Sequence, residues 1–163
     1  MSAMGPPGEG PTIPRRAGWP PSPSVPGRPG RPPVRGRQAI LNGQDRPELW
    51  AVIDEAALLR LGDGEMMREQ VQHLIDVAED TSNSVTIQVL GIDAGLHAGV
   101  GGPFVLLDFD EGMNALVYIE TDTDGLYLVE ASEVERYRKL LLHIQVAAMK
   151  PPRSLAYLKD MLT

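Results

Sequence analysis

His97 is the side chain best placed to do chemistry. Histidine is the side chain whose charge changes around neutral pH, and this one lies in a loop, residues 91–103, with glycine at 91, 95, 99, 101 and 102. With a carboxylate from Asp54, Glu55 or Asp93 it could act as a general acid–base, giving a small hydrolase or transferase. Asp54-Glu55 ends an apolar run, Leu49-Trp50-Ala51-Val52-Ile53. Catalytic carboxylates sit at such strand ends, but a pair that caps the following helical turn is the stronger reading. His73 and His143 fall inside predicted helices and read as ordinary helix residues.

The remaining chemical patterns are incomplete. There is no cysteine, which excludes disulfides, cysteine nucleophiles and zinc–thiolate sites. No histidine spacing suits a metal, and no serine stands in a Gly-x-Ser-x-Gly elbow. Asp122-x-Asp124-Gly125 has the outline of a calcium loop without the rest of its ligands, and Asp108, Asp110 and Glu111 read as a solvated turn. The glycine loop matches neither Gly-x-Gly-x-x-Gly nor a phosphate loop, and a strand follows it, so no helix dipole faces a phosphate. The chain therefore reads as a sensor or interaction domain, not an enzyme, and calls for no cofactor and no metal. Its contact surface is expected at Gly95, His97, Gly99, Gly102 and Phe104, with Asp54 and Glu55 at the adjacent strand end. The bland reading of the glycines is a tight crossover that needs positive φ.

The elements that must position this loop are legible from periodicity. Strands are predicted at Leu49–Ile53, Val85–Leu90, Val105–Phe109, Leu116–Glu120 and Leu126–Val129, with a hairpin joining the third and fourth. Trp50 is expected as a core or strand anchor. Asp54–Leu59 predicts a helical turn, and Glu65–Glu79 a helix with Met67, Val71, Leu74, Ile75 and Ala78 on one stripe. Asp63 is the expected cap of that helix. Ser132-Glu133-Val134-Glu135 reads as a capping box opening a helix to about Met149. Its buried stripe is Val134, Tyr137, Leu141, Ile144 and Ala148, and Glu135 and Lys139 make a favourable pair four residues apart. Pro151-Pro152 is expected to stop it, before a short amphipathic helix over Arg153–Leu162 that packs on the sheet or forms a dimer edge. The fold class is α+β: a mainly antiparallel or mixed sheet of four to five strands packed by two longer helices.

Composition divides the chain. Residues 1–37 hold 11 of the 15 prolines, 7 of the 17 glycines, and six arginines against Glu9 alone, a net charge of +5. With −7 for the whole chain, residues 38–163 carry −12. Residues 1–37 read as a disordered leader, of the kind a mis-started reading frame through GC-rich codons would generate. A short helix near Arg35–Asn42, closed by Asn42-Gly43, is predicted to begin the order. Residues 38–163 read as the globular effector domain. Its acidity disfavours phosphate backbones, so direct DNA binding is not expected from this chain alone, although the leader's arginines could meet some phosphates. No apolar run nears the roughly 20 residues of a membrane span. No secretory signal core is visible, and a cytoplasmic location is expected.

Several blocks together resemble a known family. They are Trp50-Ala51-Val52-Ile53-Asp54-Glu55-Ala56-Ala57-Leu58, Met67-Arg68-Glu69-Gln70 with Leu74, and Val85–Leu90. After these come Gly95-x-His97-Ala98-Gly99-x-x-Gly102-Pro103-Phe104, Val117-Tyr118-Ile119-Glu120, Leu126-Tyr127-Leu128 and Val134-Glu135-Arg136-Tyr137. The pattern, over roughly residues 37–150, resembles the uncharacterised C-terminal domain of actinobacterial Xre-type helix-turn-helix transcriptional regulators. Residues 1–37 show no helix-turn-helix pattern; Arg37–Leu41 resembles only the tail of the family's connector helix. The resemblance implies the effector half of a regulator, which senses a signal or binds a small acidic partner protein. Expected partners are such a protein or a full-length regulator paralogue, a small-molecule ligand, and a second copy in a homodimer.

Overall fold

The structure is a computed structural model. It describes residue 41 and residues 46–82, 84–110, 113–121 and 124–163, all within the second of the chain's two units, Val34–Thr163. The expected leader and the helix near Arg35–Asn42 lie almost wholly outside the described residues.

The first layer is a parallel pair. β1 (Leu49–Asp54) and β2 (Val85–Leu90) run side by side with Leu49 opposite Val85 and Asp54 opposite Leu90. Parallel strands need a crossover, supplied by α1 (Glu55–Leu59) and α2 (Glu65–Glu79). Gly62, at φ 70°, makes the turn between them. The predicted stripe of α2 faces inward: Met67, Val71 and Ile75 are buried, with Leu74 and Ala78 packed beside them.

β2 is covered on both faces, and Ile87, Gln88, Val89 and Leu90 are all buried. Ile87 and Val89 join Leu58, Met67, Val71, Ile75 and Leu158 in the main core. Leu90, on the opposite pleat, meets Ile144 and Ala148. Gln88 shares that second face, so its amide must find partners in the protein. Its Oε1 accepts from Trp50 Nε1 at 2.7 Å, and its Nε2 donates to the carbonyls of Met149 at 2.9 Å and Gln145 at 3.2 Å. Trp50, 47% exposed, is thus a strand anchor held by its indole N–H, not a core residue.

The helices on this layer are α3 (Ala131–Ala147) and α4 (Pro151–Asp160). α3 packs on β2, β3 and β4, and α4 on α2 and β2. The elbow between them closes the free edge of β2. Met149 N–H donates to the Val89 carbonyl at 2.9 Å, and Val89 N–H donates to Ser154 Oγ at 2.9 Å.

The remaining strands, β3 (Val105–Leu107), β4 (Leu116–Glu120) and β5 (Gly125–Leu128), form a separate antiparallel meander. Val105, Tyr118 and Tyr127 make one cross-strand row, with the two tyrosine rings 5.0 Å apart. The fold is α+β with mixed strand directions, as the pattern predicts. The five strands divide into a parallel pair and an antiparallel triplet.

Local expectations are corrected at several points. β3 stops at Leu107, two residues before the predicted end, where Asp108 turns to a bidentate pair with Arg138 of α3. Asp63 does not cap α2; Gly64 holds the cap position with no side-chain bond. Ser132 is not a cap either, because α3 starts at Ala131 and its cap position is Glu130, two residues before the expected one. The Glu130 carbonyl accepts from both Glu133 and Val134 amides at 3.0 Å. Pro151-Pro152 occupies the first turn of α4 and opens that helix, since proline lacks only a donor that the first turn leaves unpaired. The Glu135–Lys139 pair is present at 3.7 Å.

Candidate functional site

The glycine loop is built from two short 3-10 turns, Ile92–Ala94 and Ala98–Gly101, between the end of β2 and the start of β3. Gly95 at φ 67° and Gly102 at φ 111° sit where side chains are strained. The crossover reading therefore holds at those two positions. His97 caps the second turn: its Nδ1 accepts from the Gly99 amide at 3.2 Å. Among the described residues no carboxylate bonds its ring.

Three aliphatic side chains leave this loop for solvent. Ile92 is 64% exposed, Leu96 94% and Val100 63%. The segment 91–104 holds one ionisable acid, Asp93, and no lysine or arginine. Loop residues with nothing to bury against would ordinarily be polar.

The two ends of the loop are fixed differently. At its entrance Glu55, the first residue of α1, bridges two elements. Its Oε2 accepts from the Ile92 amide at 2.7 Å, and its Oε1 accepts from Tyr157 Oη of α4 at 2.6 Å. Asp54 caps α1, accepting from the Ala56 amide at 2.8 Å, as the capping reading expects. At the exit, Phe104 stacks edge-on against Tyr137 of α3 with ring centroids 5.0 Å apart. Gly102 and Phe104 line a recess of about 50 Å³ there with Tyr137 and Leu140. Of the predicted residues, Glu55 thus belongs to the entrance, and Gly99, Gly102 and Phe104 to the end against α3, while Asp54 serves the helix cap alone.

Burial, the hydrogen bond to Glu55 and the nearby carboxylate push the Tyr157 hydroxyl up to about 12. The ordinary tyrosine value is near 10. The folded form therefore holds this proton more tightly than the unfolded one. The resulting stabilisation is complete below about pH 10 and is lost as pH rises towards 12. Urea unfolding at pH 9 and pH 11.5 should show a larger drop for the wild type than for Tyr157→Phe. Equal drops would mean the Glu55–Tyr157 bond contributes nothing.

A larger cavity, about 340 Å³, opens beside the loop entrance. It is lined by Gly91, Asp93, Ala147, Ala148, Met149, Lys150 and Arg153. Sequence reasoning missed the α3–α4 elbow half of this wall, and it missed Ser154 and Tyr157. The one signal available was a Lys-Pro-Pro-Arg-Ser run too polar for a plain helix break. Among the described residues no group of three or more histidine, aspartate or glutamate side chains converges on a metal position. Nor is any helix among them long and apolar enough to cross a membrane.

A family model described as a domain of unknown function, DUF5753, matches residues 29–160, and the chain belongs to that family. No curated protein and no solved structure matches it.

Proposed function

We propose that this member of a family of uncharacterised domains is a regulatory ligand-sensing and protein-interaction module, related to the effector half of an Xre-type transcriptional regulator. The observation that carries the reading is the loop with Ile92, Leu96 and Val100 turned to solvent. Exposed aliphatic side chains carried on one loop suit a contact surface, and this loop is pinned at both ends, at Glu55 and at Phe104. The loop also suits the partner that the resemblance implies. A small acidic protein would be repelled by most of a domain whose residues 38–163 carry −12, but the loop presents an apolar surface with a single acid. A full-length regulator paralogue would meet the same surface, and titrating such partners is the regulatory effect. Acid–base catalysis by His97 would require a carboxylate at its imidazole, and His97 Nδ1 is engaged by Gly99.

The test is capture of partners from native lysate on the full chain, with Leu96→Ser/Val100→Ser beside the wild type. The variant is expected to unfold at the wild-type temperature, since both side chains are exposed. It should lose the bound protein, identified by mass spectrometry as a small acidic protein or a helix-turn-helix relative. Retention of every partner by this variant, or by a deletion of residues 95–102, would sink the loop assignment.

A further inference from the structure

The cavity at the loop entrance carries an inference that the partner reading does not need. We propose that it binds a small zwitterion of the α-amino-acid type, with the ligand's carboxylate held by Lys150 and Arg153 and its ammonium by Asp93.

Three observations support this assignment. The cavity volume, about 340 Å³, lies at the lower end of the roughly 300–1,000 Å³ typical of small-molecule sites. Its walls are mixed: Ala147, Ala148 and Met149 give an apolar side, and Asp93, Lys150 and Arg153 the polar one. Those three charges take part in no hydrogen bond or ion pair among the described residues. By contrast, Glu55 at the same loop entrance is committed to Ile92 and Tyr157. One acid and two bases around one recess, all unspent, form a complementary set for a ligand with both charges.

The arrangement also argues against simpler ligands. A polyphosphate would face the Asp93 carboxylate at the same recess, and a bare cation would face Lys150 and Arg153. The start of α4 offers an anion little through its backbone. Pro151 and Pro152 have no N–H, and the Ser154 N–H is used by the Lys150 carbonyl at 2.9 Å, which leaves the Arg153 amide as the one first-turn donor without an acceptor among the described residues. Recognition therefore rests mainly on side chains, and a planar carboxylate suits the fork of Arg153. Asp93 stands in the first turn of the glycine loop. Where the partner reading also holds, it is the residue through which occupancy reaches Leu96.

Isothermal titration of the full chain with each of the twenty free amino acids, and with propionate and ethylamine as half-ligands, tests the assignment. At least one amino acid should saturate the protein in the millimolar range or tighter, with one site per chain. Arg153→Gln should weaken it about tenfold to a hundredfold, the loss of a charge-assisted pair, and Lys150→Gln somewhat less. Asp93→Asn should weaken the amino acid while leaving propionate unchanged. All three positions are exposed, so circular dichroism should show these variants folded. Leu96→Ser/Val100→Ser should bind the amino acid as the wild type does, which separates this site from the partner surface. Absence of saturation by any amino acid, or wild-type affinity in Lys150→Gln/Arg153→Gln, overturns the site. Propionate binding as tightly as alanine overturns the zwitterion pairing.

Discussion

Replacing Leu158 by alanine is expected to lower the unfolding free energy by about 3 kcal/mol, within the range of roughly 2–5 for a fully enclosed leucine. Leu158 is fully buried, and it shares one core cluster with residues from three other elements: Leu58 of α1, Met67, Val71 and Ile75 of α2, and Ile87 and Val89 of β2. Those neighbours are themselves held by a parallel pair and its crossover, so they cannot easily collapse into the space left behind. The penalty therefore combines lost transfer energy with a persistent cavity. In urea the midpoint should fall with little change in slope. Leu142→Ala, on an exposed position of α3, should stay within about 0.5 kcal/mol of the wild type. A cost under about 1 kcal/mol for Leu158→Ala would mean that α4 does not seal the core as the structure has it.

Periodicity carried a large share of this fold because most elements bury one face only. Met67, Val71 and Ile75 repeat at helical spacing, and α2 begins and ends at the predicted residues. Val85, Ile87 and Val89 alternate with Thr86 and Gln88, which marks a strand, and the observed strand has those bounds; the burial of Gln88 and Leu90 on its second pleat is not legible in that alternation. Helix starts were less legible. Ser132 and Asp63 have the right chemistry for caps, but a cap is chosen by where the backbone turns, and Glu130 and Gly64 stand at that turn. The division of the strands into two sheets leaves no mark in local sequence, because pairing depends on contacts far apart along the chain.

The site was legible in one half only. Glycine spacing and His97 drew attention to the 91–103 loop, and Gly95 and Gly102 do occupy positive φ there. The other half of its surroundings comes from residues 147–157, some 50 positions away. Ser154 and Tyr157 look like ordinary polar residues of an amphipathic helix. Their roles arise only when α4 is laid against β2 and α1. Glu55 was singled out as a strand-end carboxylate, and its position there brings it within reach of both Ile92 and Tyr157.

Ser154→Ala should cost about 2 kcal/mol, from the desolvation of a buried donor left without a partner. The Ser154 side chain is fully buried; its Oγ accepts from Val89 N–H at 2.9 Å and donates to the Met149 carbonyl at 3.1 Å. The two losses are unequal. Met149's carbonyl keeps the Gln88 amide at 2.9 Å, whereas Val89 N–H points away from β1 and has no other acceptor among the described residues. The effect should therefore localise. Hydrogen exchange at the Val89 amide should accelerate by far more than at Ile87, and Ser154→Cys, a weaker acceptor of similar size, should fall between alanine and wild type. Because Met149 and Lys150 line the cavity beside the loop, loosening this elbow should also weaken amino-acid binding, although Ser154 does not line the cavity. Stability lost evenly over all amides, with no local change at Val89, would show that the hydroxyl only fills space. The elbow would then be held by Gln88 and the Met149–Val89 bond alone.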